Sequence, residues 1–222
     1  MKSAVLNNII NETSPFIFAT SETKCVKLSQ VPTIDGFVPF SRYARSTGGV
    51  PSGGVTTFVA DRLKYLTSVA LRSRRFHILW TLIDLPDNPL YVCNVYAPQR
   101  GDREHCREFF AYLERSIARF SVLGTIVLLG DFNARTKDAG DRKTCTSGKL
   151  FRDMARNCNL RVLNDTMVHG VPTYDYRGTE RSIIDYVLTS GGTDHWSDFK
   201  VWSDKPLGAD RHSAHRTISA TL

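Results

Sequence analysis

No stretch of this 222-residue chain approaches the roughly 18 consecutive apolar residues of a membrane span. The opening residues, MKSAVLNNIINETSPF, lack an apolar run long enough for a signal peptide. No membrane partner is therefore expected, and an intracellular location is. Cysteine is sparse: Cys25, Cys93, Cys106, Cys145 and Cys158 are odd in number and form no CxxC pair. That argues against a disulfide framework and a zinc cluster, and for free thiols. There is no internal repeat, low-complexity tract or long linker, so residues 1–222 are expected to form a single domain with a full core. Acidic charge is in deficit. Lys plus Arg number 29 against 22 Asp plus Glu, a net +7 that favours a polyanionic partner such as nucleic acid.

What is present is a succession of short apolar strands with two helices among them. PFIFATSETK reads as a strand ending at Thr20, and GGVTTFVADRL as a strand entered through glycines. RFHILWTLID alternates Phe76, Ile78, Trp80 and Leu82 on one side, and LYVCNVYAP alternates Tyr91, Cys93 and Val95 before Pro98 stops it. From Asp102 to about Ser121 the apolar spacing changes to three or four residues, through Cys106, Phe109 or Phe110, Leu113, Ile117 and Phe120. That is an amphipathic helix with Asp102 and Glu104 in its first turn. SGKLFRDMARNC repeats the pattern with Leu150 or Phe151, Met154 and Cys158. The tail segments SIIDYVLTS, FKVWS and HRTISATL are short and β-branched. AVLNNIINE, at the start, reads as a helix.

Three apolar stretches end in, or contain, a carboxylate. Glu22 follows FIFATS, Asp131 with Asn133 follows VLLG, and Asp185 lies within SIIDYVL. Each alone reads as a turn or cap residue. A carboxylate among Ile184 and Val187 needs a partner, and a metal site gives all three one common reason. Hard oxygen ligands suit Mg²⁺ or Mn²⁺, and such a site supports phosphate-ester hydrolysis. Asp131 and Asn133, alternating around Phe132, are expected to share one mouth, with Phe132 turned into the core.

ETK at Glu22, GGV from Gly48 or Gly53, NVYAP at Tyr96, GDFNA at Asp131 and IDYVL at Asp185 occur in one order. That order resembles the exonuclease-endonuclease-phosphatase superfamily, and within it the apurinic-endonuclease-like domain of non-LTR (LINE-type) retrotransposons. The resemblance runs from about residue 16 to the C-terminus. It implies an α/β fold, a four-layer sandwich of two packed mixed sheets flanked by helices (DNase I-like), and Mg²⁺- or Mn²⁺-dependent phosphodiester cleavage. It makes Glu22 the metal ligand, and places Tyr96 near the scissile phosphate. Asp131 activates or orients water, Asn133 supports it, and Asp185 orients the terminal His215.

The pattern breaks in two places. The superfamily closes with Ser-Asp-His, but Ala214 precedes His215 here, whether naturally or by an introduced change. Asp210 is a candidate substitute for that Asp, His212 competes with His215 for the histidine role, and Asp194 with His195 is a decoy too close to Asp185. The superfamily also begins with a strand ending in Asn, whereas Asn7 and Asn8 lie too near Glu22. An N-terminal strand is therefore expected to be absent or trimmed. Ile183 stands where the retrotransposon group often carries Arg.

Three readings follow. The first is a DNA-nicking endonuclease making the 3′ end for target-primed reverse transcription, beside a reverse transcriptase in the same polyprotein and nuclear when acting on chromosomal DNA. Its sequence preference would come from the loops RSTGGVPSGG, YAPQRGDREH and YDYRGTERS, with Arg42, Arg45, Arg100, Arg177 and Arg181 contacting DNA phosphates. The second is an abasic-site or exonucleolytic repair enzyme. The third is a nucleic-acid-binding module weakened by Ala214. A phosphatase of the same superfamily is the least favoured, since no loop suggests a headgroup site.

Overall fold

The computed structural model describes residues 10–46, 48–63, 66–99, 101–176, 180–192, 196–206 and 214–221. Its centre is a six-stranded mixed sheet. The strands are β4 (Leu66–Arg72), β5 (His77–Asp84), β6 (Leu90–Tyr96), β7 (Thr125–Asp131), β8 (Arg161–Val162) and β11 (Asp185–Thr189), in the order β4-β5-β6-β7-β11-β8. β6 and β7 run parallel, and helix α1 (Arg103–Ser121) makes the crossover between them. Asp102 caps α1 by accepting the His105 N–H at 2.8 Å, one position outside the turn where the sequence placed it. Helix α2 (Thr146–Asn157) is capped by Cys145, whose sulfur accepts the Gly148 N–H.

The strand alternation read from sequence sorts the two faces of this sheet. Ile78, Trp80, Tyr91, Cys93, Val95, Ile126 and Leu128 are buried against Phe109, Leu113, Ile117 and Phe120 of α1 and Phe151 and Met154 of α2. Leu150 and Cys158, also proposed for the buried face of α2, are only half-buried. The opposite face presents Ile83, Leu90, Val92 and Val127 to a second sheet. Each fully buried large side chain there contributes about 1.5–3 kcal/mol of transfer free energy.

That second sheet is antiparallel, β1 (Ile17–Ser21), β3 (Val55–Ala60) and β2 (Phe37–Arg42), in the order β1-β3-β2. β1 ends one residue beyond the expected Thr20. Val59 packs on Ile83 and Val92, and Val55 on Leu79 and Tyr96. Its outer face is covered by the segment with the 3₁₀ turn Leu28–Gln30, where Cys25, Val31 and Ile34 bury Phe58. A further set, β9 (Tyr174–Tyr176), β10 (Glu180–Ser182), β12 (Ser197–Pro206) and β13 (Ala214–Thr221), is ordered β10-β9-β13-β12. Packed mixed sheets with helices outside are the expected architecture.

Residues 10–13 are helical, and the remainder of AVLNNIINE lies outside the described residues. Among the described residues β1 is the first strand. Asp185 opens β11 instead of lying within a strand, so it stands at a strand end, opposite Asp131, with Ile183 and Ile184 just before it. All five cysteines are free thiols, as expected. Among the described residues no helix is long and apolar enough to cross a membrane.

Candidate active site at the strand ends

Four adjacent strands of the large sheet end on one row. His77 of β5 pairs with Tyr96 of β6, Tyr96 with Asp131 of β7, and Asp131 with Asp185 of β11. Asp131 is 2% exposed. It follows Gly130, whose φ of +131° and approach to the Val95 carbonyl, which an added Cβ would meet at 2.2 Å, admit no other residue without a shift. Phe132 turns away as expected, fully buried against Phe151 and Tyr186, and its N–H is taken by the Ile184 carbonyl at 2.9 Å.

Asn133 reaches the same mouth differently from the expectation. The strand has ended, and Asn133 is left-handed, with φ +48°. Its backbone N–H bends back to Asp131 Oδ1 at 2.8 Å, and its side-chain Nδ2 donates to the Ala97 carbonyl at 2.9 Å. A turn, not strand alternation, brings the two residues together.

His215, near the start of β13, stands between the aspartates. Its Nδ1 lies 3.0 and 3.1 Å from the two Asp185 oxygens, and its Nε2 3.9 Å from Asp131 Oδ2. Tyr174 meets its ring edge-on at 4.9 Å. Asp185 is held from behind. Thr173 Oγ1 accepts the Ile184 and Asp185 N–H groups, and Asn164 donates to the Asp185 carbonyl. Asp141, buried and in a bidentate pair with Arg135, accepts the Ile183 N–H, tying the Asp131 loop to the approach of Asp185.

Glu22 follows β1 in a left-handed conformation, φ +52°. Thr23 and Lys24 donate to the carbonyls of Gly54 and Gly53, so the GGV motif is Gly53-Gly54-Val55. The glycines are needed for this approach, since a Cβ on Gly54 would lie 2.5 Å from Thr23 Oγ1.

The charges act on one another. Burial, with the negative charges of Asp185 and Glu22, lifts Asp131 well above the usual carboxylate range, against the pull of His215 and the Asn133 N–H. Burial would push His215 down, but Asp185, then Asp131 and Glu22, outweigh it and raise the imidazole to about 9. Burial first, then Glu22 and Asp131, push Tyr96 to about 12, so its phenol stays protonated. It accepts from Gln99 at 3.1 Å.

The donor set fits a small divalent cation. Three carboxylates face one imidazole, and hard oxygens with unbalanced negative charge suit Mg²⁺ or Mn²⁺. Ligand-type atoms of Asp131, Asp185 and His215 lie within 4.8 Å of one another. Because Nδ1 of His215 is committed to Asp185, that trio is better read as a His215–Asp185 hydrogen bond with the Asp131 carboxylate as an ionic neighbour 3.9 Å from Nε2. Glu22, with 39% of its side chain exposed, is the most open of the three carboxylates, and Asp131 is buried.

Three of the arginines expected to contact phosphate, Arg42, Arg45 and Arg181, are described. Arg42 donates to the carbonyls of Ser73, Tyr43 and Arg74, and Arg45 to those of Arg74 and Arg75. They brace one loop on another. Arg181 is exposed and paired with Asp175. Arg100, Arg177, Asp194, His195, Asp210 and His212 lie outside the described residues. Sequence reasoning missed Thr173, Asn164, the Arg135–Asp141 pair, Gln99 and His77. Only GDFNAR carried a signal for one of them.

A family model described as endonuclease-reverse transcriptase matches residues 90–219, more than half of the chain. The matched span contains Tyr96, Asp131, Asn133, Asp185 and His215 but not Glu22. No curated protein matches. Among solved structures, the endonuclease domain of TRAS1, a telomere-specific non-LTR retrotransposon, is 16% identical, with a TM-score of 0.71 over 98% of this chain and 91% of that one. A 3′-5′ exonuclease (NExo) from Neisseria meningitidis is 18% identical, TM-score 0.74, covering 100% and 94%. An AP endonuclease from Archaeoglobus fulgidus is 16% identical, TM-score 0.67, covering 99% and 93%. At these identities the structures testify to a shared fold.

Proposed function

The chain belongs to the endonuclease-reverse transcriptase family of the exonuclease-endonuclease-phosphatase superfamily, and from that membership we propose that it is a divalent-metal-dependent endonuclease that nicks DNA. The nick leaves a 3′-OH for target-primed reverse transcription by a reverse transcriptase of the same polyprotein. The observation carrying this reading is the Asp185–His215–Asp131 cluster, set beside Glu22 and Tyr96 at one mouth. The endonuclease domain of TRAS1, a telomere-specific non-LTR retrotransposon, shares the fold.

In this mechanism Asp131 orients the attacking water and takes its proton. The Asn133 N–H fixes which Asp131 oxygen is free to do so. His215, kept charged by Asp185, donates to a non-bridging phosphate oxygen as negative charge grows there. Tyr96, protonated, donates to the same phosphate. The water oxygen bonds to phosphorus, the P–O3′ bond breaks, and the proton passes to O3′ through solvent. Glu22 with Asp131 would hold Mg²⁺ or Mn²⁺, which supplies charge neutralisation at the phosphate.

Supercoiled-plasmid nicking tests the reading. Wild type is expected to nick with Mg²⁺ and to stop with EDTA. Asp131→Ala should lose about 100- to 10,000-fold in rate with the fold intact by circular dichroism. Equal nicking by both proteins removes Asp131 from the mechanism. An abasic duplex and a 3′-recessed duplex run alongside distinguish the repair-type reading.

Ala214 supports a second reading, a weakened DNA-binding module. Ala214→Asp is then expected to raise the nicking rate at limiting Mg²⁺ by roughly 10-fold. No gain would mean that the alanine is not what limits the enzyme.

A further inference from the structure

The row of strand ends does not stop at the site residues. His77 continues it beyond Tyr96, and the two rings lie 6.0 Å apart. Next to them a cavity of about 310 Å³ opens from Glu22 and Tyr96. It runs between the loop closed by the Arg45–Ser52 bridge and the start of α1. Arg45, Ser52, Phe76, His77, Gln99 and His105 line it. Two of the loops expected to set sequence preference are therefore its walls.

The wall chemistry has two parts. One is positive and preset: the Arg74 and Arg75 carbonyls hold the Arg45 guanidinium at 2.7 and 2.6 Å, so little side-chain freedom is left to lose when an anion arrives. His77 reports the same field. Burial, then Arg42 and Arg45, hold it neutral, at about 4. The other part is polar and flat. His77 Nδ1 accepts the Gly54 N–H at 3.1 Å, which assigns the ring proton to Nε2. Gln99 spends one amide hydrogen on Tyr96 and keeps its carbonyl. His105, 5.3 Å from the buried Phe76 ring, adds ring surface. A fixed cation beside hydrogen-bonding edges and aromatic faces suits a nucleotide better than a bare anion. The volume is at the small end of ligand cavities.

We propose that this cavity is a nucleotide subsite. It seats one nucleotide of the cleaved strand next to the scissile phosphate, with Arg45 toward the phosphate and Ser52, His77 and Gln99 toward the base. The assignment rests on the nuclease reading of the adjoining site. It adds that the enzyme reads one base beside the cut.

The test is a histidine-imidazole NMR titration of the whole chain without metal, with deoxynucleoside 5′-monophosphates and, separately, inorganic phosphate as probes. Mononucleotides are expected to shift the His77 and His105 signals saturably and to raise the His77 pKa. Gln99→Ala should weaken this binding roughly 10-fold, and inorganic phosphate should bind more weakly still. An unmoved His77, or an equal response to inorganic phosphate, overturns the subsite. Mapping of plasmid nicks supplies the second readout: Gln99→Ala should flatten base preference at one position flanking the cut, and an unchanged profile sinks base reading. A His77 response without nicking would defeat the nuclease reading alone, and nicking without a His77 response would defeat the subsite alone.

Discussion

The central strand β6 of the large sheet and the edge strand β1 of the sheet that faces it are built to different standards. β6 is buried along its whole length, and the helices α1 and α2 close over Trp80, Phe132, Phe151 and Tyr186 without exposure. β1, by contrast, is half-buried at every position, and its neighbourhood is rich in hydroxyls, with Ser41 and Thr56 hydrogen-bonded at 2.9 Å. The site draws on both. Tyr96, Asp131 and Asp185 stand on the tightly packed sheet, while Glu22 and His215 come from the more open elements. Asp131 and Tyr96 are fixed, while Glu22 and His215, the more exposed members, have room to adjust to a cation and a phosphate oxygen.

Substitutions in the two regions should sort accordingly. Phe151→Ala is expected to cost about 3–5 kcal/mol and Phe18→Ala, on the half-buried β1, about half as much. Urea unfolding compares them, and equal costs would erase the distinction. Glu22→Gln should raise the half-saturating Mg²⁺ concentration about 10- to 100-fold, yet recover most of the rate at saturating Mg²⁺. Asp131→Asn should not recover at any Mg²⁺ concentration. If both recover, the fixed and adjustable halves of the site are not different.

The smallest effect concerns pH. His77 is held at about 4 in the folded chain against an ordinary 6.5. Between those values the unfolded chain carries a proton that the folded one does not, so stability rises with pH. The contribution is complete above 6.5 and is lost as pH falls toward 4. His77→Gln should therefore narrow the gap between urea midpoints measured at about pH 5 and about pH 7. A gap of unchanged size would show that His77 is more solvated than its surroundings indicate.

Local pattern carried much of this molecule. Two-residue alternation exposed β5 and β6, three-to-four spacing exposed α1 and α2, and a carboxylate after an aliphatic run exposed Asp131. Glu22 and Asp185 needed the order of motifs, because each alone is indistinguishable from a turn residue. Thr173, Asn164 and Asp141 left no trace, since they act on backbone groups up to 42 residues away. The basic loops were legible only as charge. An arginine looks the same in sequence whether it serves a phosphate or, like Arg42, a neighbouring carbonyl.

The cross-strand row His77–Tyr96–Asp131–Asp185 works as a vernier. Strand side chains alternate faces, so adding or deleting one residue inside β6, β7 or β11 would flip one member to the helical side while leaving composition almost untouched. Length can therefore drift in the connecting loops but not in these three strands. Any descendant that keeps the chemistry must keep their residue count, however little else of the text survives.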